Sequence, residues 1–168
     1  MKELILLRHA KSDWGAAFGA DADRPLSARG REAAGVMGRV LTLAGRMPDL
    51  VLTSPAKRAR DTADLAATVG GWVAPIAEDA RLSPGSPGDV ISVVRERAGD
   101  AGRILVVGHE PAWSQTAAVL VGGGRLKMAT AAAACLEVPS WENLAPGSCT
   151  LVWMLTPRLF TDGRFPLL

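Results

Sequence analysis

The chain has 168 residues, 48% of them hydrophobic and 21% charged, with 19 lysines and arginines against 17 aspartates and glutamates. That length corresponds to about one domain, and the apolar share is enough to bury a core without disulfide or metal staples. A formal net charge of +2 is too small to specify nucleic acid or a membrane surface as a partner. No window approaches the roughly 20 apolar residues that cross a bilayer.

In chain order, the apolar run Leu4–Leu7 predicts a fully buried strand. The short stretch around it is unlike a signal peptide, so a soluble, cytoplasmic protein is expected. A polar, glycine-containing loop follows through Asp23. Ser27 then reads as the N-cap of a helix over Ala28–Leu43, with Ala33, Val36, Met37, Val40 and Leu41 on its core face. Leu50–Thr53 predicts a second strand. Ser54 reads as the cap of a helix that starts at Pro55, where a missing N–H costs nothing, and runs to Val69 before two glycines. A strand is expected over Val73–Ala77, a turn cluster over Leu82–Gly88, and a short helix over Asp89–Arg97. Ile104–Val107 predicts another buried strand, followed by a helix to Val121 that stops at three glycines. Those glycines follow no strand and lack the spacing of a nucleotide loop.

The last third changes character. Ala132–Val138 and Cys149–Leu155 read as two strands that pair antiparallel at an edge. Cys135 and Cys149 lie on or beside them, fit no metal or redox spacing, and read as free thiols. The sequence leaves open whether the segment after Pro157 packs on the body. Alternation of short buried strands with helices implies a single α/β domain over residues 1–168: a mostly parallel sheet, helices on both faces, an antiparallel edge. In such folds ligands sit beyond the carboxyl ends of the strands.

The chain has two histidines, and each follows a predicted buried strand. His9, with Arg8 beside it, and His109 would share that rim. The start of the helix after the second strand adds free N–H groups and a dipole that favour an anion. Arg58 and Arg60 both lie near this terminus, about 200° apart around the axis, so only one can face the rim.

These residues carry a resemblance. Leu-Leu-Arg-His-Ala at 6–10 is similar to the Arg-His-Gly signature of the histidine phosphatase (phosphoglycerate mutase-like) superfamily, with alanine at position 10 as in its short phosphohistidine phosphatase branch. Ser-Pro-x-x-Arg-Ala-x-x-Thr-Ala at 54–63 resembles the second motif and selects Arg58 over Arg60. Val-Val-Gly-His-Glu-Pro at 106–111 resembles the third, and Arg24-Pro25-Leu26-Ser27 and Leu82-Ser83-Pro84 also look like the short branch.

The resemblance implies a three-layer sandwich and a phosphorylated enzyme. His9 would attack phosphorus as a neutral imidazole, its tautomer fixed by a carbonyl on the other nitrogen. Arg8, Arg58 and a protonated His109 would surround the phosphoryl oxygens, with Lys11 and Ser12 either touching phosphate or forming a polar loop. No cofactor or metal is called for; Asp21 and Asp23 read as solvated or salt-bridged loop carboxylates. Glu78, Asp79 and Glu110 are candidates for a general acid by location. A leaving imidazole needs little help from an acid, so a missing one favours phosphohistidine over an ester as substrate. Trp14 and Phe18 either contact a protein partner or cover the core. The expected partner is a phosphorylated protein of the histidine phosphotransfer type in bacterial signalling. The alternatives are a phosphatase of small phosphorylated metabolites and a non-catalytic protein that binds phosphate or sulfate. The absence of a long insertion between residues 63 and 82 points to an open site that a protein could enter. Mutase activity is not expected.

Overall fold

A computed structural model describes residues 1–162; Phe165–Leu168 and the two residues before them lie outside the described residues. The first half contains β1 (Lys2–Arg8), α1 (Ala28–Leu43), β2 (Leu50–Thr53), α2 (Lys57–Gly70) and β3 (Ile76–Glu78). The second contains α3 (Pro87–Arg97), β4 (Arg103–Gly108), α4 (Ala112–Leu120), β5 (Ala133–Val138), β6 (Thr150–Leu155) and the short α5 (Arg158–Thr161). All six strands form one sheet in the order β3–β2–β4–β1–β5–β6. The first four run parallel, and β5 and β6 add the antiparallel edge. This is the mixed, helix-covered α/β sandwich expected.

The continuous apolar runs explain the layers. In β1, Leu4 and Leu6 point to one face and Ile5 and Leu7 to the other, and all four are fully buried. The first face packs on Val90, Val93 and Val94 of α3 and on Trp113, Ala117 and Leu120 of α4. The second packs on Ala34, Met37 and Leu41 of α1 and on Ala59, Ala63 and Ala66 of α2. Cys135 and Cys149 are free, buried thiols in these two different cores.

Ser27 caps α1, accepting the Gly30 N–H at 3.1 Å. The buried stripe of α1 differs from the sequence reading: Ala34, Gly35 and Gly38 are buried, whereas Ala33 and Val36 are only partly covered. Glycine is the reason. A Cβ at Gly38 would lie 2.1 Å from the Ala66 carbonyl oxygen, so α1 and α2 touch backbone to backbone there. Element boundaries also move, most clearly at three places. α2 starts at Lys57 instead of Pro55, and its N-cap residue is Ala56, which has no polar side chain to cap with. β3 begins at Ile76, past Pro75, which has no N–H for a ladder, although its carbonyl still accepts from Val51. α3 begins at Pro87, capped by Ser86.

The β1–β4 register aligns Arg8 with Gly108. The next residue on each strand is a histidine, so both leave the sheet at the same rim.

Candidate active site

At that rim lies a pocket of about 470 Å³ lined by Arg8, His9, Arg58 and His109, together with Lys11, Ser12, Trp14, Asp21, Arg24 and Glu110. Ser83, Pro84 and Thr130 complete its wall. The two imidazole centroids are 5.2 Å apart.

Backbone bonds fix His9: its N–H donates to the Gly108 carbonyl and its own carbonyl accepts from Ala131. The ring Nδ1 stands 2.7 Å from the Ala10 carbonyl oxygen. A carbonyl only accepts, so Nδ1 carries the proton and Nε2 keeps its lone pair. The Ala10 amide in turn donates to Thr62 Oγ1 at 3.0 Å, tying this loop to α2. Burial drives the His9 pKa down to about 3; the Ala10 carbonyl opposes the shift, and His109, Arg58 and Arg8 add to it. The imidazole is neutral near pH 7, as a nucleophile must be.

His109 Nε2 is 2.8 Å from Ser54 Oγ. Ser54 Oγ also accepts the Ala56 amide. Burial, then Arg58, lowers the His109 pKa to about 4, against a smaller upward pull from Asp21. In the free protein the ring is therefore neutral at pH 7, because it is desolvated among arginines; the expectation of a protonated His109 concerns the state with a phosphoryl group bound. Its Nδ1 is the nitrogen left for a ligand.

Arg8 Nη1 donates to the Met128 carbonyl at 2.9 Å, and its buried Nε has no partner. Arg58 donates through Nη1 to the Asp21 carbonyl at 2.9 Å and through Nη2 to Asp21 Oδ2 at 3.2 Å, again with a buried, unpartnered Nε. Arg60 points away and pairs with Asp64 and Glu78. Only one of the two arginines reaches the pocket.

Lys11 is exposed at the pocket edge. Ser12 is buried and accepts from Arg24 Nη1. The three general-acid candidates separate. Glu78 is held by Arg60, and Asp79 is clamped by Arg81 and caps the turn after β3; neither lines the pocket. Glu110 does line it, but both its oxygens accept from Ser114, one from the amide and one from the hydroxyl. That hydroxyl itself accepts the Met128 amide, which commits its proton to Glu110. Trp14 is 68% exposed, with its ring under the Arg24 guanidinium at 3.5 Å. Among the described residues no cluster of His, Cys, Asp or Glu could hold a metal ion, and no helix is long and apolar enough to cross a membrane.

Sequence reasoning missed Ser54, Asp21 and Arg24 as parts of the site. Ser54 could have been found, since it follows β2 on the same rim as both histidines. Asp21 and Arg24 sit in a loop whose path no periodicity reports.

Residues 4–90 match the histidine phosphatase superfamily (branch 1). An uncharacterized protein of Mycobacterium tuberculosis is 38% identical over 163 residues, spanning 90% of this chain and all of that protein. Among solved structures, the protein histidine phosphatase SixA complexed with tungstate has a TM-score of 0.81 at 24% identity, over 92% of this chain and 97% of that one. A SixA candidate from Nakamurella multipartitia has a TM-score of 0.76 at 28% identity, over 93% of this chain and 96% of that one. The chain belongs to the histidine phosphatase superfamily and has the fold of its SixA-type branch.

Proposed function

We propose that the chain hydrolyses phosphohistidine on a protein of the histidine phosphotransfer type, through a phosphorylated His9. The observation that carries this reading is the His9 ring: neutral, with Nδ1 bound to a carbonyl and Nε2 left as the basic nitrogen, beside two arginines and a second imidazole. Nε2 attacks phosphorus and the bond from phosphorus to the substrate nitrogen breaks, its electron pair going to the leaving ring, which departs as neutral imidazole because its other nitrogen is protonated from solvent. Water then attacks phospho-His9 and releases phosphate, which splits one displacement into two easier ones.

Arg8 and Arg58 offer fixed donors to the phosphoryl oxygens, and phosphoryl transfer depends chiefly on such positioning and charge stabilisation. An arriving phosphoryl dianion supplies the negative charge that His109 lacks in the free protein. It favours protonation of the ring, with Nε2–H then donating to Ser54 and Nδ1–H to phosphate. Lys11 at the edge is placed to meet the rest of the substrate.

The carboxylates support the choice of phosphohistidine. Two of the three candidate acids stand outside the pocket, and Glu110 is engaged at both oxygens. An imidazole with a pKa near 6.5 leaves without a strong acid, whereas an alkoxide does not. A cytoplasmic signalling role fits this substrate class.

The test is to phosphorylate the protein with a phosphohistidine donor and look for acid-labile, base-stable phosphate. His9→Ala is expected to abolish the label. Turnover of a phosphohistidine protein is then compared with a panel of sugar and nucleotide phosphates; activity confined to the small esters would transfer the assignment to metabolites.

A further inference from the structure

Arg58 binds phosphate in two-point fashion only if two N–H groups on one edge of its guanidinium are available. Its Nε is buried and unpartnered. Its Nη2, which has one N–H on the same edge and one on the other, pairs with Asp21 Oδ2 at 3.2 Å. The remaining nitrogen, Nη1, is anchored on the backbone carbonyl of the same residue. Asp21 therefore sets a carboxylate against a nitrogen that a two-point ligand would use, and it fixes the orientation of the group.

The other carboxylate oxygen of Asp21 belongs to a second arginine. Oδ1 accepts from Arg24 Nε at 3.2 Å and lies 3.0 Å from its Nη2. The two arginines are held very differently. Arg24 is buried, with its guanidinium over the Trp14 ring, its Nη1 on Ser12 and its backbone amide on the Asp21 carbonyl. The Asp21 side chain is 60% exposed and stands in a short turn of the loop after β1. Asp21 is the more exposed partner, and Arg24 the more buried one.

We propose that Asp21 is a resident counter-ion that competes with the phosphoryl group for Arg58. When phosphate binds, Oδ2 leaves Nη2, Oδ1 stays on Arg24, and the charge of Arg58 turns from the carboxylate to the anion; when phosphate departs, the carboxylate returns. Asp21 is a positioning residue in this scheme, and its effect is to keep product phosphate weakly bound and quickly released. Arg24, stacked on Trp14, is the site that receives the displaced charge. The proposal rests on the phosphatase reading for its biological sense, but it concerns anion binding alone.

The experiment is calorimetric titration of inorganic phosphate into the intact protein at pH 7.5, without turnover. Asp21→Asn is expected to tighten phosphate on the order of tenfold, the effect of removing one close negative charge in a partly solvated setting. Arg24→Gln should weaken it at least threefold, since the carboxylate then has only Arg58 to pair with. Combining the two should restore tight binding. Asp21→Ser serves as a second exposed substitution, and thermal melts check that each variant is folded. In turnover, Asp21→Asn should strengthen competitive inhibition by phosphate far more than it changes kcat. Unchanged or weaker phosphate binding in both Asp21 variants would overturn the proposal, because Asp21 would then only hold Arg58 in place. Absence of phosphate binding to the wild type would overturn it together with the pocket assignment. Tighter binding in the Asp21 variants without any label on His9 would sustain it while removing the catalytic reading.

Discussion

Lowering the pH from 7 to 5 protonates both histidines of the unfolded chain, whose ordinary pKa is near 6.5, and neither histidine of the folded one. The folded values are about 3 for His9 and about 4 for His109. Over this interval the unfolded state therefore binds more protons, and linkage requires stability to fall as the pH falls. The loss begins near pH 6.5 and is complete only when the folded rings titrate, near pH 4 and below. Each histidine contributes about 2 kcal/mol between pH 7 and pH 5, and the pair about 4 kcal/mol. That is a large share of the roughly 5–15 kcal/mol by which a domain is stable. The window lies above the range in which ordinary carboxylates titrate, so the two rings dominate it. Urea unfolding followed by tryptophan fluorescence at pH 7, 6 and 5 gives the slope. Replacing His109 by Gln should remove about half of it, and replacing both histidines should nearly flatten it. If the doubly substituted protein loses as much stability between pH 7 and 5 as the wild type, the rings are not held neutral by burial and the argument for a neutral His9 fails.

Other substitutions separate roles that sequence alone confounds. Arg58→Ala should cut phosphohistidine turnover by about a hundredfold or more, as loss of a charged donor in a transition-state pocket does. Arg60→Ala, which breaks only half-exposed pairs with Asp64 and Glu78, should leave turnover and His9 labelling intact and change stability by no more than about 1 kcal/mol. Ser54→Ala removes the hydroxyl on His109 Nε2 and is expected to lower kcat by roughly tenfold while costing about 1 kcal/mol in denaturant unfolding. Gly108→Ala would place a Cβ 2.1 Å from the Trp113 ring; a shift of about 3 kcal/mol or more in unfolding free energy is expected from such overpacking.

The order of elements and the identity of the rim were legible because the parallel strands are buried on both faces. Leu4–Leu7 and Ile104–Val107 can only be interior, and a histidine after each brings both rings to one rim. The cap of α1 was equally plain, since Ser27 does what an N-cap serine does. Ser54 shows the limit of that rule. A serine after a strand and before a helix reads as a cap, yet its hydroxyl is divided between the Ala56 amide and His109. The charge of His109 in the free protein was not legible because burial, and the repulsion of Arg58 and Arg24 far away in sequence, both act only once the chain is folded. The buried glycines of α1 were passed over because hydrophobic periodicity registers side chains, and at Gly38 the contact is made by the absence of one.

The in-step alignment of β1 with β4 has a wider meaning. Neighbouring strands in any sheet lie about 4.8 Å apart, and the two imidazole centres stand 5.2 Å apart. The spacing of the two rings that would flank a phosphoryl group thus follows the spacing of the backbone ladder. No point substitution in the surrounding loops can stretch it. A one-residue insertion in either strand, by contrast, would rotate one ring through the pleat to the far side, so loops can be rebuilt around new phosphoryl carriers while the two strands must keep their length.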